Sequence, residues 1–234
     1  YIFRTIPADE FYGLVMAKVG WDRLNARSAA VLAENTWYGD VLANNFAKGW
    51  NERDGELVGQ TAYEPGRTTY EDVLQDALGS SPEVLMIAGR SESGTRILAD
   101  FYAEYSQEFC EIIVSDGLKD ASLPDRVDNS MRNVWGLAPV AAGPGKDYFD
   151  QQYETEYGSE PDSEFLAYAF DAAAVLCLAN AAAGENVGAT IRESMRSIAN
   201  QPGEMITPET LDAGLSMAAS GEPIDYHGAS GPLT

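Results

Sequence analysis

Short apolar runs recur through the first half of this chain, and each one ends in a turn that opens a helical pattern. The clearest run covers residues 28–34, and the segment Asn35-Thr36-Trp37-Tyr38-Gly39-Asp40 after it predicts a turn and a helix over residues 38–51. Apolar runs at 83–89 and 110–115 are followed by turn residues in the same way. Apolar strands that alternate with helices are typical of a parallel sheet covered on both faces, so the sequence predicts a three-layer α/β fold.

This alternation organises residues 8–133 as one complete unit. The first helix is predicted over residues 9–19, with Asp9 placed to cap its start and with one apolar face formed by Phe11, Leu14, Val15 and Val19. The remaining predicted elements of this unit are strands at 28–34, 56–63, 83–88 and 110–115 and helices at 38–51, 70–78 and 93–105.

The pattern changes after Asn133. One more strand is predicted at 134–140, and helices are predicted near 148–157, 164–183, 187–200 and 208–219. These helices have few strands to pack on, and the chain begins at Tyr1 without a methionine. Both ends therefore look cut from a longer protein, which we expect to supply the sheet that these helices need.

The apolar run 165–183 approaches the length of a membrane span, but Asp171 and Asn180 interrupt it, so we expect a buried helix of a globular domain.

The chain is strongly acidic, with 37 acidic against 15 basic residues and a net charge of −22. Concentrated salt screens the repulsion between these charges, since the Debye screening length is about 3 Å at 1 M ionic strength. The charge therefore favours a haloarchaeal or otherwise halophilic protein over an ordinary acidic one. No basic patch is available for nucleic acid, which we exclude as an expected partner. Hydrophobic residues make up 45% of the chain, which is enough for a full core.

The sequence contains no motif for catalysis or for a cofactor. Gly145-Lys146 lacks the spacing and the hydroxyl of a phosphate-binding loop, no dinucleotide fingerprint follows a strand, and no nucleophile elbow is present. With the single histidine His227 and two separated cysteines, no Cys/His metal site is expected. Cys110 and Cys177 are expected to be buried free thiols rather than a disulfide. We therefore expect neither an enzyme nor a bound cofactor.

Three predicted strand ends place polar side chains at one edge of the sheet. Tyr38, Arg90 and Asp116 each follow an apolar strand, and ligands bind at the carboxyl ends of the strands in such sheets. As ligand contacts, Arg90 would bind a carboxylate, Asp116 would bind an ammonium group, and Tyr38 would pack on the remainder. The alternatives are an ion pair of Arg90 with a surface acid, Asp116 as a helix cap, and Tyr38 as a turn aromatic. Phe165 and Tyr168 are further candidates for lining the cleft, with a core position as the alternative.

Several segments together resemble one known family. Residues 37–39 are similar to its Tyr-Gly turn, 55–59 to the strand that follows, 169–172 to its tyrosine-aspartate-alanine helix, and 224–232 to the segment before a late strand. On these motifs the chain resembles the solute-binding proteins of branched-chain amino-acid ABC transporters, which have the type I periplasmic-binding-protein fold. Arg90 stands where relatives often have an aromatic residue, and Phe170 replaces the usual tyrosine before Asp171. We expect Asp171 to make a helix or hinge contact rather than a ligand contact.

The resemblance implies a two-lobed receptor. Residues 1–7 would be the hinge strand that leads into a complete α/β lobe at 8–133, and 134–234 would hold the hinge return and the helical part of the other lobe. An N-terminal half-lobe, with serine and threonine contacts to the ligand carboxylate, and a C-terminal tail would be missing. The expected function is an extracytoplasmic receptor, anchored through a missing N-terminal segment, that passes a small amino acid or related carboxylate to an ABC permease. The alternative is the ligand-sensing domain of a signalling or regulatory receptor on the same fold.

Overall fold

A computed structural model describes residues 1–233 of the chain, which form two compact units. The continuous unit consists of Ala8–Ala138. The composite unit is assembled from Tyr1–Pro7 and the chain from Pro139 onward. The chain therefore crosses between the units twice, once after Pro7 and once after Ala138.

The continuous unit is a five-stranded parallel sheet with helices on both faces, which confirms the predicted α/β class. Its strands are β1 (Ser28–Glu34), β2 (Glu56–Tyr63), β3 (Val84–Ala88), β4 (Glu111–Val114) and β5 (Val134–Gly136). Its helices are α1 (Asp9–Asp22), α2 (Trp37–Asn51), α3 (Glu71–Leu78), α4 (Ser91–Glu104) and α5 (Leu123–Val127), with a 3-10 turn at Asp116–Leu118. The strand order is β2-β1-β3-β4-β5, and every neighbouring pair is parallel.

The core of this unit lies in two apolar layers, one on each face of the sheet. Alternate strand residues point to opposite faces, so Leu32 of β1 contributes to the layer under α3 and α4, while Val31 contributes to the layer under α1 and α2. Both side chains are completely buried. This arrangement explains why the strands are apolar throughout rather than alternating between apolar and polar residues.

The apolar face that the sequence predicts for α1 is only partly buried, because Leu14 and Val19 are half-buried. Phe11 and Val15 are exposed, and the fully buried face carries Gly13, Met16, Ala17 and Gly20 instead. The reason is the close approach of α2: a Cβ atom on Gly13 would lie 2.6 Å from the carbonyl oxygen of Leu42. The helix begins at Asp9 as predicted, but Ala8 occupies the N-cap position and Asp9 lies in the first turn.

The composite unit is mainly helical and carries a small parallel sheet. Its helices are α6 (Lys146–Tyr157), α7 (Phe165–Ala183), α8 (Gly188–Met195) and α9 (Leu211–Ser220), and its strands are β6 (Glu204–Ile206) and β7 (Ile224–Tyr226). The sequence analysis missed both of these short strands, and it extended β5 to residue 140, whereas β5 ends at Gly136. Leu178 of α7 packs with Ile224 and Tyr226 of β7 in the core of this unit.

Helix α7 is anchored by a buried carboxylate. Asp171 is 0% exposed and accepts hydrogen bonds from the Tyr226 hydroxyl, the backbone N–H groups of Ala229 and Ser230, and the Ser230 hydroxyl. A Cβ atom on Gly228 would lie 2.1 Å from Oδ2 of Asp171, so the loop after β7 can approach the carboxylate only with glycine at this position. The expectation that Asp171 makes a structural contact is confirmed.

By length and composition, α7 is the one helix among residues 1–233 that could cross a membrane, with a mean hydropathy of 1.7. The core helix of a folded domain meets the same criteria, and α7 packs against the small sheet through Val175 and Leu178. Its opposite face is open, so that Leu176 and Cys177 are exposed. Both cysteines are free thiols as predicted, but only Cys110 is buried, and the expectation of burial is wrong for Cys177.

Candidate ligand-binding site

The structure brings Tyr38, Arg90 and Asp116 together at the carboxyl edge of the five-stranded sheet. Tyr38 lies in the first turn of α2 after β1, Arg90 is the N-cap of α4 after β3, and Asp116 opens the 3-10 turn after β4. The chain leaves β1 toward β2 on one side, whereas β3 pairs with β1 on the other side. In open parallel sheets, ligands bind at such a switch in strand order, because the loops diverge there and leave a crevice.

Tyr38 and Asp116 form a direct hydrogen bond. The Tyr38 hydroxyl donates to Oδ1 of Asp116 at 2.5 Å and accepts from the Gly117 N–H at 3.3 Å. Burial, followed by the bond to Asp116, raises the pKa of Tyr38 above its ordinary range, so the hydroxyl keeps its proton and remains a donor. Asp116 is half-buried, with one oxygen bound by Tyr38. Its side chain does not act as a helix cap, because the N-cap of the short turn is Ser115.

Arg90 forms an ion pair with Glu34, the last residue of β1. Its Nη1 donates to Oε1 of Glu34 at 3.1 Å, and its backbone N–H donates to Oε2 at 3.4 Å. The guanidinium carbon also lies 5.9 Å from the centroid of the Tyr38 ring. The partner of Arg90 is therefore a buried acid and not one of the surface acids that the sequence analysis weighed. The Arg90 side chain is 66% exposed, whereas that of Glu34 is 2% exposed.

Sequence reasoning missed Glu34. The available signal is a charged residue that ends an otherwise apolar strand, in the segment Ser28-Ala-Ala-Val-Leu-Ala-Glu34. A carboxylate in that position is rarely buried without a cationic partner. Its partner lies 56 residues further along the chain, at the end of the neighbouring strand β3.

The backbone around these side chains is packed too closely for additional side-chain atoms. A Cβ atom on Gly39 would lie 2.0 Å from the carbonyl oxygen of Glu34, and one on Gly89 would lie 1.9 Å from the Tyr63 hydroxyl. The Ser115 hydroxyl donates to the carbonyl oxygen of Gly89 at 3.1 Å and so joins the ends of β3 and β4. The geometry of the three strand ends is therefore fixed by close backbone packing and buried polar contacts.

The other two candidates, Phe165 and Tyr168, belong to the composite unit. Phe165 is the first residue of α7 and is 51% exposed. Tyr168 is buried, its hydroxyl donates to the carbonyl oxygen of Val140 at 3.2 Å, and its own carbonyl oxygen accepts from the Thr5 hydroxyl at 2.9 Å. Tyr168 thus joins the two stretches that make up this unit, which is the core role that the sequence analysis gave as the alternative.

The composite unit also carries surface clefts of about 660 and 740 Å³. The larger one is lined by residues 2–7 together with residues of α7 and α8, including Val175 and Met195. The smaller cleft includes the oppositely charged Arg196 and Glu222. We place the candidate site at the sheet edge instead, because Tyr38, Arg90 and Asp116 follow three neighbouring parallel strands at their carboxyl ends. Among residues 1–233, no group of three or more His, Cys, Asp or Glu side chains is placed to hold a metal ion.

Comparisons with known proteins agree with the fold of the chain. A substrate-binding protein of the chemotactic signal transduction system of Halobacterium salinarum, BasB, is 24% identical over 99% of this chain and 54% of its own length. The leucine-binding protein LivK of Thermotoga maritima has a TM-score of 0.70 at 23% identity, covering 82% of this chain and 55% of its own. The branched-chain amino-acid transporter substrate-binding protein LivJ of Streptococcus pneumoniae, solved with isoleucine, has a TM-score of 0.66 at 20% identity, with the same coverage.

The chain thus spans a little over half the length of each of these relatives. One protein family, described as "Periplasmic binding protein", matches residues 1–212, which is most of the chain. The parallel sheet with helices on both faces fits that match. The chain therefore belongs to the periplasmic binding protein family.

Proposed function

We propose that the chain is part of an extracytoplasmic receptor that binds a small amino acid, or a related carboxylate, between two hinged lobes for an ABC importer. The observation that supports this most directly is that Arg90 and Asp116, one positively and one negatively charged, both lie beside the Tyr38 side chain, as a zwitterionic ligand would require. The family consists of substrate-binding receptors, and the solved relatives named above bind or transport branched-chain amino acids.

In this proposal each group of the ligand has one partner. The ligand ammonium binds Oδ2 of Asp116, because Oδ1 is already bound by Tyr38. The ligand carboxylate binds the guanidinium nitrogens of Arg90 that Glu34 leaves uncovered, since among residues 1–233 only Nη1 is in a hydrogen bond or ion pair. The Tyr38 ring packs on the remainder. No bond is broken, and lobe closure is favoured only by the contacts that the ligand adds in the closed state.

We further propose that residues 1–7 and 134–234 belong to the hinge and to the second lobe, which is completed by chain outside this sequence. The composite unit supports this, because up to residue 233 it offers a two-stranded sheet to four helices and leaves Leu176 and Cys177 exposed on α7. The lengths of the relatives support it as well. Phe165 is the candidate that this lobe would contribute to the cleft, and Tyr168 would support it from the core.

A signalling role is the second candidate function. It is favoured by the relative from Halobacterium salinarum, which is described as a chemotactic signal transduction protein. The net charge of −22 fits a receptor exposed to concentrated salt on the outside of a halophile. Deletion of the gene separates the roles: loss of labelled amino-acid uptake supports the importer, and loss of chemotaxis with normal uptake supports the sensor.

The binding proposal is tested by calorimetry on the full-length receptor with a panel of the twenty common amino acids in concentrated KCl. At least one is expected to bind, and Asp116→Asn is expected to weaken its binding by about 2–5 kcal/mol, because the ligand ammonium loses its charged partner. Asp125→Asn, an exposed residue of α5 in the same unit, is the matched control and should bind normally. Unchanged affinity in Asp116→Asn would remove Asp116 from the site.

A further inference from the structure

Glu34 is a buried carboxylate that is paired with Arg90. Within residues 1–233, both donors to its carboxylate belong to Arg90, the side-chain Nη1 and the backbone N–H. The carboxylate lies beneath the end of β3, where Oε2 would be 3.5 Å from a Cβ atom on Gly89. With 2% exposure, Glu34 is shielded from solvent and from any ligand in the crevice.

The burial of Glu34 determines what Arg90 can do. A buried carboxylate is stabilised only by an opposite charge and hydrogen bonds, and removal of its partner leaves a costly unpaired charge. Arg90, in contrast, is mostly exposed, and an exposed arginine side chain ordinarily samples many rotamers. Because Glu34 cannot move into water, the guanidinium stays at the sheet edge beside Tyr38 even when no ligand is bound.

From this geometry we infer that Glu34 is the positioning residue of the site: it fixes the Arg90 guanidinium in the orientation that receives the ligand carboxylate, and so makes the site selective for ligands that carry one. This inference rests on the proposed function. Glu34 contacts no ligand itself, and its effect is transmitted through the Arg90 side chain. Since its charge cancels that of Arg90, the site recognises a carboxylate by the geometry of the N–H donors and not by a net positive field.

The ligand-dependent test compares a probe with and without its carboxylate on the full-length receptor. The probes are L-isoleucine and L-isoleucinamide, or the corresponding pair for whichever amino acid binds best in the panel above. Glu34→Gln is expected to weaken binding of the amino acid at least tenfold and to leave binding of the amide within twofold of wild type. Glu34→Asp keeps the carboxylate on a side chain that is one methylene shorter, so its affinity for the amino acid should lie between those of wild type and Glu34→Gln. The matched control is Glu64→Gln: Glu64 is exposed just after β2, and its carboxylate accepts from Asn35 rather than from Arg90.

The ligand-independent test uses urea unfolding at constant KCl, and it also covers the case in which Glu34→Gln folds poorly. Arg90→Gln leaves Glu34 buried without a cation and should lower the unfolding midpoint. Adding Glu34→Gln to Arg90→Gln should restore part of that loss, and the double variant should bind the amino acid no more weakly than Arg90→Gln alone.

The outcomes separate the inference from the proposed function. Equal weakening of the amino acid and its amide in Glu34→Gln, or no weakening of either, would overturn the positioning role while leaving the amino-acid receptor intact. No recovery of stability in the double variant would overturn the anchoring of Arg90. A wild-type receptor that binds no amino acid, combined with recovery in the double variant, would overturn the proposed function and the carboxylate selectivity but support Glu34 as the anchor of Arg90.

Discussion

Replacement of Asp171 by asparagine tests how the composite unit is held together. The carboxylate of Asp171 is completely buried in α7 and accepts from Tyr226 and Ala229 on Oδ1 and from Ser230 on Oδ2. Asparagine has almost the same shape but offers one acceptor oxygen and one donor NH₂ group. In whichever orientation the amide is placed, two of the hydrogen-bond donors around it face another donor.

The expected loss follows from the number of bonds removed. Hydrogen bonds to a charged group contribute about 1.5–3 kcal/mol each, so the loss of two amounts to about 3–6 kcal/mol. The Ser230 hydroxyl can rotate to accept from the new NH₂ group, which recovers about 1 kcal/mol. We therefore expect Asp171→Asn to lower the free energy of unfolding by about 2–5 kcal/mol, which is a large part of the roughly 5–15 kcal/mol typical of a folded protein.

Urea unfolding followed by circular dichroism at constant KCl measures this difference. Asp147→Asn is the control, because Asp147 is exposed in the first turn of α6 and its charge contributes only through the helix dipole. The control should lie within about 0.5 kcal/mol of wild type. A loss below about 1 kcal/mol in Asp171→Asn would refute the view that this carboxylate holds the loop after β7.

Three further predictions address charge, exposure and ionisation. The melting temperature should rise between about 0.1 M and 3 M KCl, because salt screens the net charge of −22, and a melting temperature indifferent to KCl would remove the halophile interpretation. A thiol reagent should label the exposed Cys177 but not Cys110, because burial raises the pKa of the Cys110 thiol to about 12. In the full-length receptor Cys177 should be protected from the reagent, and labelling of Cys177 as fast as in this chain would contradict the proposed second lobe. Burial and the nearby Asp171 raise the pKa of Tyr226 above its ordinary value of 10, so the unfolded state loses the Tyr226 proton at a lower pH than the folded state does. The urea midpoint of unfolding should therefore fall as the pH rises above about 10, and equal midpoints at about pH 8 and 11 would contradict this.

The sequence predicts the strands of the continuous unit well because each is a short apolar run bounded by turn residues. The predicted bounds of β1 and β2 agree with the structure. β3 begins one residue later than predicted, and β4 is one residue shorter than predicted at both ends. The same reasoning fails for α1, since it assumes that the largest apolar side chains face the core. In α1 the contact with α2 is so close that Gly13 and Gly20 occupy it.

The strands β6 and β7 could not be predicted in this way. Each has only three residues, which is too short for a period of two to be distinguished from chance. Their pairing depends on tertiary contacts that bring Glu204 beside Ile224. Three-residue pairings of this kind are determined by packing against the adjacent helices α7 and α9, and not by the local sequence.

The candidate site was predictable only in part, for the same physical reason. The rule that parallel strands present their carboxyl ends at one edge is sufficient to group Tyr38, Arg90 and Asp116. It carries no information about side-chain direction. The bond between Tyr38 and Asp116 and the pairing of Arg90 with Glu34 depend on side-chain rotamers, which the strand pattern does not determine.

The division of the composite unit into two stretches has a consequence for the order of folding. The hydrogen bond from Thr5 to Tyr168 joins residues that are 163 positions apart, and closing a flexible loop of that size costs on the order of 4–5 kcal/mol of chain entropy. The continuous unit lies entirely inside this loop. Once Ala8–Ala138 has folded, a compact body replaces most of the flexible loop and much of that cost is removed. The stretch Tyr1–Pro7 would thus become ordered after Ala8–Ala138, although it precedes that unit in the chain.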